Sequence, residues 1–192
     1  NTPGNVASVP GNYASSQAWG AGFYFNDTVQ LIPEVKLVGG LRWDYYAATI
    51  GNSINSVNTA ASTAVPFQYQ PDSFLSVRAG VIYEPTPAQS YYVSYSTSFN
   101  PSLEQLTSTT GGSYLPPENN KGVEAGVKYE LLNANLSLNA AVFSIVKNNA
   151  RNANPDGTYS PVGNVQVSGG RVNVAGRITP EWQVFGGYAY MN

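Results

Sequence analysis

The sequence predicts an all-β chain: about eight antiparallel strands of a transmembrane β-barrel, arranged as an up-and-down meander. Three observations predict it. Apolar and polar side chains alternate along eight segments. The connections between those segments alternate short and long. Only 10% of the residues are charged, and aromatic residues gather near the segment ends. A soluble domain carries about 25% charged residues, so the surface of this chain must be unusually free of charge.

Alternation is the period-2 signature of a strand whose two faces meet different surroundings. The first segment, about 16–32, sets Trp19, Ala21, Phe23, Phe25, Val29 and Leu31 on one face, interrupted by Asp27. The second, 35–48, sets Val35, Leu37, Leu41, Trp43 and Tyr45 against Lys36, Arg42, Asp44 and Tyr46. The third, 73–84, opposes Leu75, Val77, Val81 and Tyr83 to Ser76, Arg78 and Glu84. The fourth, 90–99, opposes Tyr91, Val93, Tyr95 and Phe99 to Tyr92, Ser94, Ser96 and Ser98. The fifth, 121–131, opposes Val123, Val127 and Tyr129 to Glu124, Lys128 and Glu130. The sixth, 136–147, carries Leu136, Leu138, Ala140, Val142 and Val146 on one face. In the seventh, 165–178, Val172, Val174 and Ile178 alternate with Arg171, Asn173 and Arg177. Upstream of Gly169-Gly170 the phase of Val165 and Val167 shifts by one, which predicts a β-bulge at the glycine pair. The eighth, 182–191, places Trp182, Val184, Tyr188 and Tyr190 together. Residues 1–15 read as a leading loop.

Short turns fall at Ile32–Glu34, Pro85–Gln89, Leu132–Asn135 and Thr179–Glu181. Long connections at Thr49–Asp72, Asn100–Asn120 and Asn148–Asn164 hold Asn, Ser, Thr, Gly and Pro, the residues of irregular backbone. A soluble β-sandwich also alternates, but short turns at one end and long loops at the other are the layout of outer-membrane barrels. Trp19, Trp43, Tyr45, Tyr83, Tyr91, Phe99, Tyr129, Trp182 and Tyr190 suit the two headgroup levels. The strand charges Lys36, Arg42, Asp44, Arg78, Glu84, Glu124, Lys128, Glu130, Arg171 and Arg177 fall on the other face, expected to line a polar lumen. Facing lipid at mid-membrane, a Lys or Arg costs about 2–4 kcal/mol. For any single one of these charges, pairing across neighbouring strands is the simpler role.

Absences narrow the function. With no Cys and no His, disulfides, thiolate chemistry and most metal sites and catalytic triads are excluded. No metal site or cofactor is expected. Carboxylates such as Asp44, Glu84, Glu124 and Glu130 lie on different strands, so an enzyme is not expected. The net charge of −2 offers no field for nucleic acid. No run approaches the roughly 20 apolar residues of a membrane helix. No signal peptide is visible at the start of the sequence.

Several stretches resemble the barrel of TonB-dependent siderophore receptors, the ferrichrome-type iron transporters. They are VKLVGGLRWDYY at Val35–Tyr46, YEPTPAQSYYVSYSTSFNP at Tyr83–Pro101, LPPE at Leu115–Glu118 with EAGVK at Glu124–Lys128, LSLNAAVFSIVKNN at Leu136–Asn149, and AGRITPEWQVFGGYAYM at Ala175–Met191. The resemblance covers most of the chain from about Ser16. It implies a barrel of about 22 strands, residence in the bacterial outer membrane with its lipid as partner, and uptake of a ferric siderophore as the transported ligand. It also implies coupling to the TonB complex through a plug region missing from this sequence. In such receptors external loops capture the chelate with aromatic and basic side chains, which makes Tyr69, Tyr114, Tyr159 and Arg151 candidate ligand contacts. For each of them the plainer alternative is an ordinary loop residue.

The sequence departs from the family in two places. Arg171 and Asn173 stand where acidic residues usually follow the glycine. The chain ends Tyr190-Met191-Asn192, without the aromatic terminal residue of complete barrels. Short periplasmic turns would put both ends of the chain on the external side, which predicts a stretch of a larger receptor. The alternatives are a passive porin-like barrel and an engineered eight-stranded one.

Overall fold

The computed structural model describes residues 13–53, 68–101, 116–153 and 159–192. They form one eight-stranded antiparallel sheet in simple sequence order. The strands are β1 (Tyr13–Ile32), β2 (Val35–Ser53), β3 (Gln68–Thr86), β4 (Gln89–Asn100), β5 (Glu118–Leu131), β6 (Leu136–Ala153), β7 (Tyr159–Arg177) and β8 (Gln183–Met191). Each pairs with its chain neighbours, as a meander requires. Among the described residues β1 and β8 are edges that share no ladder, so these strands do not close into a small barrel of their own.

Several strands run further toward the long connections than the alternation marks. β2 continues to Ser53 against Tyr13 of β1, inside the expected leading loop, and β3 begins at Gln68 opposite Ile50. The outer part of β6 pairs with β7 through Arg151↔Pro161 and Ala153↔Tyr159, after register shifts around Ala150. Backbone ladders need no apolar face. Alternation marks only the stretch where the two faces meet different media, so the remainder is silent in the sequence.

The expected bulge is absent. β6 and β7 pair without a shift from Lys147↔Val165 to Leu136↔Gly176, and β7 and β8 pair regularly past Gly169↔Met191. There is no bulge at Gly169-Gly170. The glycine at 169 serves a close approach instead. A β-carbon there would sit 2.2 Å from the Tyr190 carbonyl oxygen and 3.0 Å from the Phe143 ring. Val165 and Val167 therefore do lie on the charged face, beside Ile145 and Phe143, while Gln166 and Ser168 lie on the apolar one.

Where the ladders run without a shift, the registers assign the strand residues to two faces. One carries Phe23, Phe25, Leu37, Leu41, Trp43, Leu75, Val81, Val93, Val123, Val142, Val172 and Tyr188, all well exposed. The buried hydrophobic residues among those described are only Ala47, Ala48, Ala141 and Ala150. A sheet with this much apolar surface uncovered has no core of its own. Its apolar face calls for a hydrocarbon environment.

That face is edged by aromatic residues at two levels. Near the short turns, Tyr83, Tyr91 and Tyr129 form a row, with ring centroids 6.2 and 6.0 Å apart and the Tyr91 and Tyr129 hydroxyls 2.8 Å from each other. Toward the long connections, Trp19 meets Tyr45 at 5.1 Å, Phe23 stacks on Trp43 at 6.1 Å, and Trp43 on Tyr45 at 6.4 Å. The turn Leu132–Asn135 is tight: Leu132, Asn133 and Ala134 all adopt left-handed backbone angles, and Asn135 donates from its backbone and side-chain nitrogens to the Leu132 carbonyl.

Candidate functional site

The charged face is the candidate site. All ten strand charges singled out from the sequence share it by register. Most are paired, and the pairs form tiers.

Nearest the short turns, Lys36 meets Glu84 at 2.6 Å across β2 and β3, and Lys128 meets Glu130 at 2.7 Å along β5. Arg177 lies against Gln183, whose side-chain oxygen, with the amide turned, accepts from Arg177 Nε at 2.9 Å. In the middle, Glu124 gathers three strands. The Tyr92 hydroxyl donates to Glu124 Oε1 at 2.6 Å, and Arg171 Nη2 donates to the same oxygen at 2.8 Å. Two small residues make this possible. Ala141 stands opposite both Gly126 and Arg171, letting the guanidinium cross β6. At Gly126 a β-carbon would lie 2.6 Å from the Tyr92 ring. Tyr92, Asn139, Ala141, Arg171 and Asn173 line a depression of about 400 Å³ beside this network.

Toward the long connections, Arg42 clamps Asp44 with two donors, Nε to Oδ2 at 2.8 Å and Nη2 to Oδ1 at 2.7 Å. Asp44 is only 2% exposed, so a half-exposed Arg42 supplies the charge that its burial demands. Gln70 donates to Asp72 at 3.0 Å, and both are buried. Beside them three rings meet. Phe74 stacks on Phe99 at 3.8 Å, and Tyr46 meets Phe99 edge-on at 5.8 Å.

Phe99 corrects an expectation, because the alternation put it on the apolar face. The β3–β4 ladder stops at Arg78↔Ser96. Beyond it the Thr97 hydroxyl, not a backbone carbonyl, accepts the Val77 N–H at 2.8 Å. With that ladder interrupted, the Phe99 ring packs on Phe74 and Tyr46 of the charged face. Tyr46 and Phe74 could have been read from the sequence as aromatics in phase with Arg42 and Asp44. The displacement of Phe99 carries no sequence signal.

The four loop candidates fare differently. The Tyr69 hydroxyl lies 3.2 Å from that of Tyr45, which places Tyr69 in the aromatic row of the apolar face. Arg151 donates to the Pro116 carbonyl, and Asn149 donates to Pro117 at 2.9 Å. With Lys147 bound to Glu118 at 3.2 Å, these contacts tie the outer end of β6 to the approach to β5. Tyr159 stands in β7 opposite Ala153; its side chain, and all of Tyr114, lie outside the described residues. Among the described residues no cluster of carboxylates could hold a metal ion. The arrangement offers paired charges, hydroxyls and an aromatic cluster, fit for contact with a polar, aromatic solute.

Comparison with known proteins agrees with this geometry. Residues 1–192 match the family described as TonB dependent receptor-like, beta-barrel. The chain is 32% identical over 174 residues to the probable TonB-dependent receptor BfrD of Bordetella pertussis, covering 88% of this chain and 23% of that protein. It is 30% identical over 216 residues to the catecholate siderophore receptor Fiu of Escherichia coli strain K12, covering 97% of this chain and 27% of that one. Among solved structures it superposes on the siderophore receptor PiuA of Acinetobacter baumannii with a TM-score of 0.79 at 28% identity, over 93% of this chain and 26% of that one. On the closed form of the ferric-catecholate import receptor Fiu the TM-score is 0.76 at 28% identity, over 93% and 28% of the two chains. The chain thus spans about a quarter of the length of the curated relatives it matches.

Proposed function

We propose, from the premise that this chain belongs to the TonB-dependent receptor β-barrels of the bacterial outer membrane, that its charged face lines the lumen of a larger barrel that takes up ferric siderophores. The observation that carries this reading is the Tyr46–Phe74–Phe99 cluster beside the Arg42–Asp44 clamp, at the outer end of the charged face. Stacked rings offer a flat surface to an aromatic chelate, and a half-exposed guanidinium meets its negative charge. A catecholate complex has both properties, and the relatives named Fiu are catecholate receptors. Arg151 and Tyr159, at the outer ends of β6 and β7, and Tyr114, in the connection before β5, are the further candidates for contact with the chelate. The paired charges of the middle tier leave a polar wall with little net charge, along which a charged solute passes without being held. Energy would come from the TonB complex.

The test uses the intact protein carrying this chain. Ferric complexes of catecholate, hydroxamate and carboxylate siderophores are titrated against its Trp fluorescence. Catecholates are expected to bind, and Phe74→Ala to weaken them by about tenfold, the loss of about one aromatic contact. Binding of none of the three classes, together with free passage of small sugars into liposomes containing the protein, would establish the porin-like alternative.

A further inference from the structure

At its outer end the seam between β3 and β4 comes apart. Among the described residues the outermost rung of their ladder is Arg78↔Ser96. Carried on, that register would pair Val77 with Thr97 and Leu75 with Phe99. The ladders on either side do continue: Leu75 pairs with Trp43 of β2, and Phe99 with Asn119 of β5. The break is therefore confined to one seam. In a closed antiparallel ladder the Val77 N–H would bond the Thr97 carbonyl. The Thr97 side chain takes it instead, Oγ1 accepting at 2.8 Å. A side-chain oxygen satisfies the donor while the two backbones stand apart. At the break a hollow of about 380 Å³ opens, with Arg42, Ser76, Val77, Arg78, Ser96 and Thr97 in its lining.

The open seam gives the Phe99 ring a choice of face. In a closed ladder it would stand beside Leu75 on the apolar face, extending the rim in which Trp43 stacks on Phe23 and Tyr45. Leu75 is left 61% exposed there. Strands bonded about 4.8 Å apart leave no passage for a ring through the sheet. Phe99 crosses because the strands have parted. Its ring stacks on Phe74 at 3.8 Å and meets Tyr46 at 5.8 Å, both residues of the charged face. One hydroxyl thus sets which medium the ring two residues further on will meet.

We propose that Thr97 is a positioning residue for ligand binding: by taking the Val77 N–H on its hydroxyl it holds the outer β3–β4 seam open and turns the Phe99 ring out of the lipid-facing side into the Tyr46–Phe74 cluster. Without that hydroxyl the half-buried Val77 N–H has two outcomes. It stays unpartnered, which is unfavourable, or it bonds the carbonyl at position 97 and closes the ladder. Closure returns Phe99 to the side of Leu75 and leaves Phe74 and Tyr46 without their third ring. The consequence for the ligand rests on the reading of this cluster as a surface for an aromatic ferric chelate; the orientation of the ring does not.

The intact protein carrying this chain, with para-fluorophenylalanine in place of Phe99, is placed in lipid nanodiscs with and without doxyl-labelled lipid, and the fluorine resonance is followed. With Thr97, and with Thr97→Ser, which keeps the hydroxyl, the line should stay sharp. With Thr97→Val or Thr97→Ala the spin-labelled lipid should broaden it. In the same protein without the fluorinated residue, a ferric catecholate titrated against Trp fluorescence should bind Thr97→Val about fivefold more weakly, the loss of about one aromatic contact, and Thr97→Ser as tightly as the unmodified protein. Broadening with Thr97 in place, a measurement that needs no variant to fold, would overturn the proposal. So would a line that stays sharp in Thr97→Val and Thr97→Ala, or a ring that moves with no loss of catecholate affinity. Binding of no catecholate by the unmodified protein would remove the reading of the cluster, and the fluorine line would still decide whether Thr97 places the ring.

Discussion

The outer ends of β1–β3 and of β5–β7 stand at the same level of one sheet and solve the membrane boundary differently. On β1–β3 the apolar face ends in a packed aromatic row, Trp19, Phe23, Trp43, Tyr45 and Tyr69, and the opposite face holds a buried, clamped carboxylate. On β6–β7 the same face ends in a hydrogen-bonded patch of Ser144, Gln166 and Ser168, and the opposite face turns apolar with Phe143, Ile145 and Val167. Aromatic rings sit well at the headgroup level with any lipid. Hydroxyl and amide groups are at ease there only where water or a polar headgroup can reach them.

Substitutions that act on one region and spare the other test this contrast. The largest effect is expected at Gly169, behind the polar rim, where a β-carbon meets the Tyr190 carbonyl oxygen at 2.2 Å. Backbone cannot swing aside as a side-chain tip can, so Gly169→Ala should cost about 2–3 kcal/mol in equilibrium unfolding from detergent. Gly39→Ala, on the apolar face of β2 with nothing within 4 Å, is the matched control and should change stability by less than about 0.5 kcal/mol. Equal costs at the two glycines would mean that the β6–β8 packing differs from that described. Next in size is Trp43→Ala. It removes stacking on both Phe23 and Tyr45 and should cost about 1–2 kcal/mol, since each such pair contributes about 0.5–1.5 kcal/mol. A negligible cost would remove the anchoring role from the aromatic rim.

The contrast also explains what could be read in advance. Alternation locates eight strands because one face of each must be apolar to meet lipid. It assigns Lys36, Arg42, Glu124 and Arg171 to one face for the same reason. It fails where the medium changes. At Val165–Ser168 a real swap of polarity looks like a slip of phase, and a bulge is the local device that reconciles such a slip with a uniform membrane face. Tyr69 reads as loop because Pro71 and Ser73 stand where apolar residues would continue its face, although the ladder to Thr49 continues. Phe99 is lost for another reason: whether a ladder breaks depends on two strands at once, and the Thr97 hydroxyl that replaces a carbonyl is ordinary in sequence. The middle tier is half legible: Glu124 and Arg171 are visible as charges, but that they meet across β6 depends on the small Ala141 between them.

Asp27 is a smaller probe of the aromatic side. It lies on the apolar face of β1 opposite Gly39, and its carboxylate accepts only the neighbouring Thr28 N–H among the hydrogen bonds described, at 2.8 Å. An acidic group facing hydrocarbon is unfavourable, though less so than a Lys or Arg. Asp27→Val restores the alternation of β1 and should raise stability in lipid by about 1 kcal/mol, read as a higher unfolding midpoint. A lower midpoint would show that Asp27 has a partner in the assembled membrane.

The smallest expected effect decides most about the polar rim. Gln166 is exposed on the same face as Asp27, so if both faced hydrocarbon, Gln166→Leu should stabilise the protein in the same way. At the headgroup level the reverse balance holds. The amide is solvated there and already bonds Ser144, so its replacement by Leu gains little burial and gives up a hydrogen bond worth about 1 kcal/mol. The two terms nearly cancel, and the midpoint should move by less than the equivalent of about 0.5 kcal/mol. A clear gain for Gln166→Leu, matching that of Asp27→Val, would place the β5–β7 rim inside the bilayer and make its polarity a buried network instead of a lipid-facing one.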